Sequence, residues 1–425
     1  MKTRLTLLVI AAAFLCPMFT GFELAVADND MQPECVVTVS QGQSIQAAIV
    51  AANAGDVICV EPGTYEEDLS IFIGLALVGL KQINDFDDAE NRPVIQGVAT
   101  VPAAQFPLAI PNIDIQADHV SIHGFVIKSP AVAEDEYSSG IVLTGRGHRI
   151  FDNLFYVGTG DISQAIQTWR QDNAREGFRD ISGLHIYNNR FKNLEPATGL
   201  GAYEGIFINP QSDPIDPSDP ASAVVIEKNR FSGALIRAVT TQRSGTVIQK
   251  NRMTTDWVAP AALSSFPRGI QLSKAGSAPP LPDAASTHHQ VLKNRINDGG
   301  DTEFSVGILM RDFVTDCTIE KNAVIGASNN GIELGSSDSN RVKKNFITFS
   351  GNDGLLVNGD GNLLIKNFIK ESGRYGLHLD ASSENNFAIK NKIKKSGDKD
   401  IFDAGTGNIF EKNRCAISDP EGLCR

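Results

Sequence analysis

Short apolar segments that end in asparagine recur along the second half of the chain. They occupy residues 225–229, 247–251, 318–322 and 364–367. The last five closing asparagines are separated by 23, 22, 24 and 22 residues, since they are Asn322, Asn345, Asn367, Asn391 and Asn413. A second series, Gly-Ile or Gly-Leu, keeps the same period from Gly307 to Gly376. Each period therefore contains two or three short strands with their turns.

A unit of this size cannot bury its own apolar face, because a strand of about five residues presents only two or three inward side chains. Stacking the units as parallel coils about 4.8 Å apart buries that face in a continuous column. We therefore expect the five asparagines to align along one inward column and to hydrogen-bond as a ladder. Alternation along the strand after each glycine predicts two further rows. The inward row is Ile206, Ile270, Ile308, Ile332 and Leu377, and the outward row is Phe207, Gln271, Leu309, Glu333 and His378.

The N-terminal part of the repeat region carries a different pattern, at residues 44–49, 55–60, 62–65 and 77–79. Ser44 is a plausible N-cap of a short helix with apolar residues at Ile45, Ala48 and Ile49. Together with the asparagine repeats, these residues resemble the pectin-lyase-like β-helices, and among them the NosD-like proteins with parallel β-helix repeats. The resemblance implies an all-β fold, a right-handed parallel β-helix solenoid with an N-terminal capping helix.

The first 27 residues have the layout of a cleavable secretory signal. Lys2 and Arg4 precede an apolar stretch, and Ala25-Val26-Ala27 precedes an acidic segment. We expect residues 28–425 to form a single β-helix domain with long central loops at about 129–288 and regular repeats at about 289–415. The protein is expected to be exported, periplasmic or extracellular, without a membrane span and as a monomer.

Five cysteines remain after removal of the signal, in a compartment where pairing is expected. Cys35 and Cys59 flank the predicted helix, and Cys415 and Cys424 lie together near the C-terminus. We predict a disulfide at each end of the fold and a buried free thiol at Cys317.

Candidate site residues cluster in the central coils, where long intervals interrupt the repeat. The position before the glycine carries Glu204 and Arg268, the equivalent position before Ala238 carries Arg237, and Arg311 lies on an outward position nearby. A carboxylate and several guanidiniums on adjacent coils could bind a uronate and move a proton beside it, so these four are the candidate catalytic residues. An ordinary surface ion-pair ladder is the alternative. The candidate substrate-binding residues are Trp169, Tyr203, Trp257, Glu333 and His378. The aromatic ones could stack on sugar rings or pack the loops onto the coils.

A column of lysines accompanies the asparagine repeat. Lys228, Lys250, Lys293, Lys321, Lys344, Lys366, Lys390 and Lys412 each precede a ladder asparagine. Such a column could bind an acidic polysaccharide, or lysine could simply suit an exposed strand end. The His288-His289 pair has no matching ligand spacing, so we predict solvent exposure and no metal site there.

Two functions stay open at this point. The resemblance and the interrupted central coils favour a protein that binds or acts on a polysaccharide, as a lyase, hydrolase or epimerase. The absence of the signature motifs of pectate lyases, polygalacturonases and alginate epimerases favours a non-catalytic accessory or carbohydrate-binding protein. The formal net charge of −12 argues against nucleic acid as a partner. No cofactor is assigned.

Overall fold

A computed structural model describes twelve segments of the chain. They are residues 34–80, 91–99, 109–130, 137–156, 162–168, 180–192, 202–209, 219–233, 235–255, 267–274, 286–297 and 304–424. The predicted signal, Trp169 and Trp257 lie outside these residues, and the domain start at residue 28 stays a prediction. Cys35 opens a compact unit that extends to the C-terminus. No helix within the described segments is long and apolar enough to cross a membrane.

The described strands form three parallel sheets of 14, 12 and 13 strands, here called sheets A, B and C in the order in which a coil visits them. Sheet A contains Val37–Val39, Val57–Val60, Ala76–Gly79, Ser121–His123, Arg149–Phe151, His185–Tyr187, Val224–Glu227, Thr246–Gln249, Gln290–Leu292, Thr318–Glu320, Arg341–Lys343, Leu363–Ile365, Phe387–Ile389 and Ile409–Glu411. Sheet B contains Gly63–Glu66, Pro93–Gln96, Val126–Lys128, Leu154–Tyr156, Arg190–Lys192, Arg230–Ser232, Arg252–Met253, Arg295–Ile296, Ala323–Ile325, Phe346–Thr348, Phe368–Lys370 and Lys392–Lys394. Sheet C contains Leu69–Ile71, Ala109–Gln116, Tyr137–Thr144, Ile162–Thr168, Ala202–Ile208, Arg237–Thr241, Arg268–Ser273, Val306–Arg311, Ile332–Gly335, Leu355–Asn358, Tyr375–Leu379, Lys399–Asp403 and Ser418–Asp419.

Each strand pairs with the equivalent strand one coil away, so the same side chain position repeats along the axis. In sheet C, Ile270 is in register with Ile308, which is in register with Ile332. All five residues of the predicted inward row are fully buried. Their stacked aliphatic side chains form the apolar core that a single coil could not make for itself.

The asparagine ladder is confirmed and is longer than the sequence period indicated. The backbone N–H of Asn322 donates to Oδ1 of Asn345 at 2.9 Å, and the same bond repeats down to Asn413. The ladder also runs in the other direction, through Asn294, Asn251, Asn229 and Asn189 to Asn153. Because every rung is buried, the amide side chains replace the water that would otherwise satisfy the backbone at this turn.

The two predicted disulfides are confirmed. Cys35 is bonded to Cys59 and Cys415 to Cys424, while Cys317 is free and buried. One short α-helix lies among the described residues, Ile45–Ala51, and Ser44 accepts a hydrogen bond from the N–H of Ala47 as its N-cap. Ile45 and Ile49 of this helix are buried against the first strands.

Candidate functional site

Sheet C brings the predicted polar residues of the central coils into one row. Gln164 is in register with Glu204, Glu204 with Arg237, and Arg237 with Arg268. We call these four residues the edge row. Long intervals of chain flank the row on both sides: the strand Arg268–Ser273, for example, lies between intervals 254–267 and 274–289. Most of each interval lies outside the described residues.

A close approach of backbone next to the row explains why glycine follows Glu204. A Cβ at Gly205 would lie 2.5 Å from the carbonyl oxygen of Ala238 and 2.6 Å from a ring carbon of Phe231. Only a residue without a side chain fits there. The strand can therefore pack tightly on the next coil while the residue before the glycine keeps its side chain at the edge of the sheet.

Glu204 and Arg237 form an ion pair. The carboxylate Oε1 contacts Nη1 of Arg237, and the side chains are 6% and 25% exposed. The other carboxylate oxygen accepts a hydrogen bond of 3.3 Å from Nε2 of Gln164. Because both oxygens have donors, Glu204 is held as a structural anion and is poorly placed to act as a free base.

Arg268 lies one coil beyond this pair. Its Nη1 donates to Oε1 of Gln271 at 2.6 Å, and its buried Nε has no acceptor among the described residues. Burial lowers the pKa of Arg268, and the nearby guanidiniums of Arg237 and Arg311 lower it further. The carboxylates of Glu333 and Glu204 act in the opposite direction and only partly offset this lowering. The direction of this shift means that the cationic form of Arg268 is less stable in these surroundings than in water.

The remaining predicted residues lie outside the edge row. Arg311 is in register with Ser273 and Gly335 instead, and its Nε is 3.0 Å from Oδ2 of Asp312, with both side chains more than half exposed. Glu333 is in register with Leu309 and accepts a hydrogen bond of 2.9 Å from Asn330. Tyr203 lies on the strand Ala202–Ile208, with its side chain outside the described part.

A second polar cluster on sheet C includes two charged residues that the sequence analysis missed, Asp353 and Arg374. Nδ1 of His378 is 2.7 Å from Oδ2 of Asp353, a carboxylate that is 1% exposed. Arg374 lies with its Nε 3.6 Å from the same carboxylate and its guanidinium carbon 4.2 Å from the ring centroid of Tyr375. Asp353 stands before Gly354, so the rule that selected Glu204 and Arg268 also points to it. Its partner His378 comes from the next coil.

The predicted exposure of the His288-His289 pair is right for His288 and wrong for His289. His289 is fully buried, and its Nε2 is 2.6 Å from Oγ of Ser286. Its backbone N–H donates to Sγ of Cys317, whose own N–H donates to Oδ1 of Asn340. His289 and Cys317 thus continue a second, shorter ladder that runs on through Asn362 and Asn386. Within the described residues, no three His, Cys, Asp or Glu side chains are grouped to hold a metal ion.

Comparisons with known proteins agree with this architecture. Residues 306–418 match the family model described as "Right handed beta helix region". No curated protein matches the sequence. The tailspike protein of E. coli bacteriophage HK620 is 13% identical over 87% of this chain and 71% of its own, with a TM-score of 0.50. The A-module of the Azotobacter vinelandii mannuronan C-5 epimerase AlgE6 is 12% identical over 88% and 92%, with a TM-score of 0.48. The matched repeats and the three parallel sheets make this protein a right-handed parallel β-helix.

Proposed function

We propose that this protein is exported and binds an acidic polysaccharide along the outward face of sheet C, with Arg268 as its main contact to a uronate carboxylate. The two disulfides support an oxidising compartment. The HK620 tailspike has been crystallised in complex with a pentasaccharide. For the present chain, the chemistry of its own site supports a carbohydrate partner.

The observation that carries the proposal is that Arg268 has no carboxylate partner within the described segments. Glu204 forms an ion pair with Arg237, whereas Arg268 forms no ion pair with a described residue, and its buried Nε, like that of Arg237, has no acceptor among the described residues. A carboxylate can accept two parallel hydrogen bonds from a guanidinium, including one from Nε. A bound uronate would therefore satisfy the unpaired donor and place a negative charge beside a guanidinium that forms no ion pair with a described residue.

Arg268→Ala is expected to weaken binding of oligogalacturonate about tenfold or more, because a lost charge-assisted hydrogen bond is worth about 1.5–3 kcal/mol. Isothermal titration calorimetry measures the affinity, with neutral dextran as the uncharged comparison. Arg268→Lys keeps the positive charge but loses the planar set of donors, so its affinity should lie between those of the wild type and the Arg268→Ala variant.

Arg341→Ala is the matched control, since Arg341 is an exposed arginine on sheet A. Equal affinities of the wild type, the Arg268→Ala variant and this control would contradict the proposal. Thermal melting should show that the Arg268→Ala variant remains folded.

The cluster around His378 favours a second function, proton transfer on the bound sugar of the lyase or epimerase type. Asp353 fixes the orientation of the imidazole through Nδ1, which leaves Nε2 without a partner among the described residues. Nε2 can accept the proton on the carbon next to a uronate carboxylate while Arg374 balances the carboxylate charge. In elimination the released electron pair expels the glycosidic oxygen, which takes a proton from solvent. In epimerisation the carbon takes a proton from solvent on the opposite face. Hydrolysis by two carboxylates is less favoured, because Glu204 is held by Arg237 and Gln164.

His378→Gln should abolish exchange of the ring hydrogen next to the carboxylate with deuterated solvent, while oligogalacturonate binding at Arg268 persists. Nuclear magnetic resonance follows the loss of the ring hydrogen, which is replaced by deuterium in epimerisation and not replaced in elimination, and ultraviolet absorbance detects the unsaturated product of elimination alone. Asp353→Asn should slow the same exchange, because the imidazole loses its orienting carboxylate. Wild-type exchange rates in both variants would show that His378 is not the base.

The short helix at the N-terminal end has a proposed structural role. We propose that Ile45–Ala51 caps the first coil, as the buried side chains of Ile45 and Ile49 support. A cover of this kind would protect the exposed strand edge from pairing with another chain.

A further inference from the structure

We propose that a column of lysines at the corner between sheets A and B is a separate binding surface for an extended acidic polysaccharide lying parallel to the helix axis. The lysine stripe, as we call it, consists of Lys228, Lys250, Lys293, Lys321, Lys344, Lys366, Lys390 and Lys412. This inference does not rest on the function proposed for sheet C, because the stripe lies at a different corner of the coil.

The asparagine ladder fixes the spacing of the stripe. Each lysine immediately precedes a ladder asparagine, and the eight asparagines are bonded rung to rung from Asn229 to Asn413. Adjacent lysines are therefore one strand spacing apart, about 4.8 Å. All eight are exposed. The result is a straight row of cations on an otherwise acidic protein.

The backbone at these positions is unfavourable for lysine. The eight lysines have φ between 55° and 60°, in the left-handed region where glycine, asparagine and aspartate are favoured. Two earlier rungs show that the fold accepts other residues there, because Asp152 and Asn188 precede Asn153 and Asn189 with φ of 59° and 55°. The ladder itself therefore does not require lysine.

The charges of the stripe are only partly compensated. Lys228 lies 3.9 Å from Glu227, and Lys321 and Lys344 lie 3.4 and 3.8 Å from Glu320. Lys250, Lys293, Lys366, Lys390 and Lys412 form no ion pair with any described residue. Like charges one strand spacing apart repel each other. Where no carboxylate lies beside them, lysines with a left-handed backbone and mutual repulsion add little to folding, and we infer that an external anion explains the repetition.

The surroundings of the stripe favour a sugar polymer over a nucleic acid. Two residues after the lysines, Arg230 is in register with Arg252, and Arg252 with Arg295, which widens the basic surface onto sheet B. Further along the axis, the rings of Phe346 and Phe368 stack 5.2 Å apart, and Phe346 is 44% exposed. One strand spacing is close to the length of one pyranose residue in an extended chain, whereas the phosphates of duplex DNA follow a helical path that rises about 3.4 Å along the axis per nucleotide of each strand.

The test combines Lys344→Gln, Lys366→Gln and Lys390→Gln in one stripe variant. The control variant combines Lys370→Gln, Lys395→Gln and Lys399→Gln, which changes the net charge equally at positions off the stripe. Both sets are made in the Arg268→Ala background, so that binding on sheet C contributes less to the signal and contributes equally in the two variants. Affinity for a length series of oligogalacturonates is measured at several salt concentrations.

We expect the stripe variant to bind about tenfold more weakly, from the loss of three exposed ion pairs, and to show a shallower dependence on salt. The control variant should bind like its parent. Affinity should rise with oligomer length until the chain covers the stripe and then level off. Equal binding by the two variants would overturn the proposal, as would tighter, stripe-dependent binding of single-stranded DNA of the same charge. Since Arg268 is absent throughout, such a failure would leave the proposal for sheet C untouched.

Discussion

Replacing Asn345 by alanine is expected to lower the free energy of unfolding by about 3–5 kcal/mol, because several buried hydrogen-bonding groups lose their partners at once. Its Oδ1 accepts from the backbone N–H and from Nδ2 of Asn322, at 2.9 and 3.1 Å. Its Nδ2 donates to the carbonyl of Ile319 and to Oδ1 of Asn367, at 2.9 and 3.1 Å. Alanine at this position removes one hydrogen bond from each of these four partner groups, in a site that excludes water.

Urea denaturation measures this loss, with Asn385→Ala as the control. Asn385 is exposed, and its side chain donates to no described residue. It has φ of 54°, so its replacement should cost at most about 1–2 kcal/mol from backbone preference. Similar losses in the two variants would mean that the ladder does not stabilise the fold.

The ladder also shows how far the sequence could predict the fold. From Asn322 to Asn413 the spacing stays near one coil, so the column could be predicted from the residue numbers alone. Toward the N-terminus, neighbouring rungs are 28 to 43 residues apart, apart from the 22 between Asn229 and Asn251. The added intervals hide the period, although the hydrogen bonds are the same. Sequence spacing detects a rung only where the connections between strands are short.

The candidate site was predictable only in part, and for a related reason. Register follows from the repeat, so Glu204, Arg237 and Arg268 could be assigned to neighbouring coils before the structure was known. Which side chains bond to each other depends on their rotamers and on which residues the neighbouring coil places opposite them. The bond between Asp353 and His378 joins residues 25 positions apart, and nothing in the spacing distinguishes it from other neighbours.

His289 shows a different limit of the sequence. Its position in the second ladder is occupied by asparagine on later coils, and a histidine there looks like an ordinary loop residue. The correct signal was its distance of 28 residues from Cys317, which is itself 23 residues from Asn340. The second ladder was not recognised from the sequence because two consecutive rungs, His289 and Cys317, are not asparagine.

Burial of His289 is expected to make the protein unstable in acid. Burial lowers the pKa of His289 to about 3, and His288 and Arg243 act in the same direction. In the unfolded chain the imidazole has a pKa of about 6.5, so between these values the unfolded state binds the proton and the folded state does not. The free energy of unfolding therefore falls as the pH falls from about 6.5, and the full loss below pH 3 is about 5 kcal/mol.

His289→Asn should remove most of this contribution, because an amide carries no titrating proton in this range and asparagine occupies the column on later coils. The measurement is the midpoint of urea denaturation at a series of pH values from neutral to acid. His288→Asn is the matched control, since His288 is exposed and has φ of 60°, which suits asparagine. His148 is also buried, and burial lowers its pKa as well. In both variants the stability to urea should therefore still fall somewhat as the pH falls. An unchanged pH dependence in His289→Asn would show that the acid sensitivity arises elsewhere in the protein.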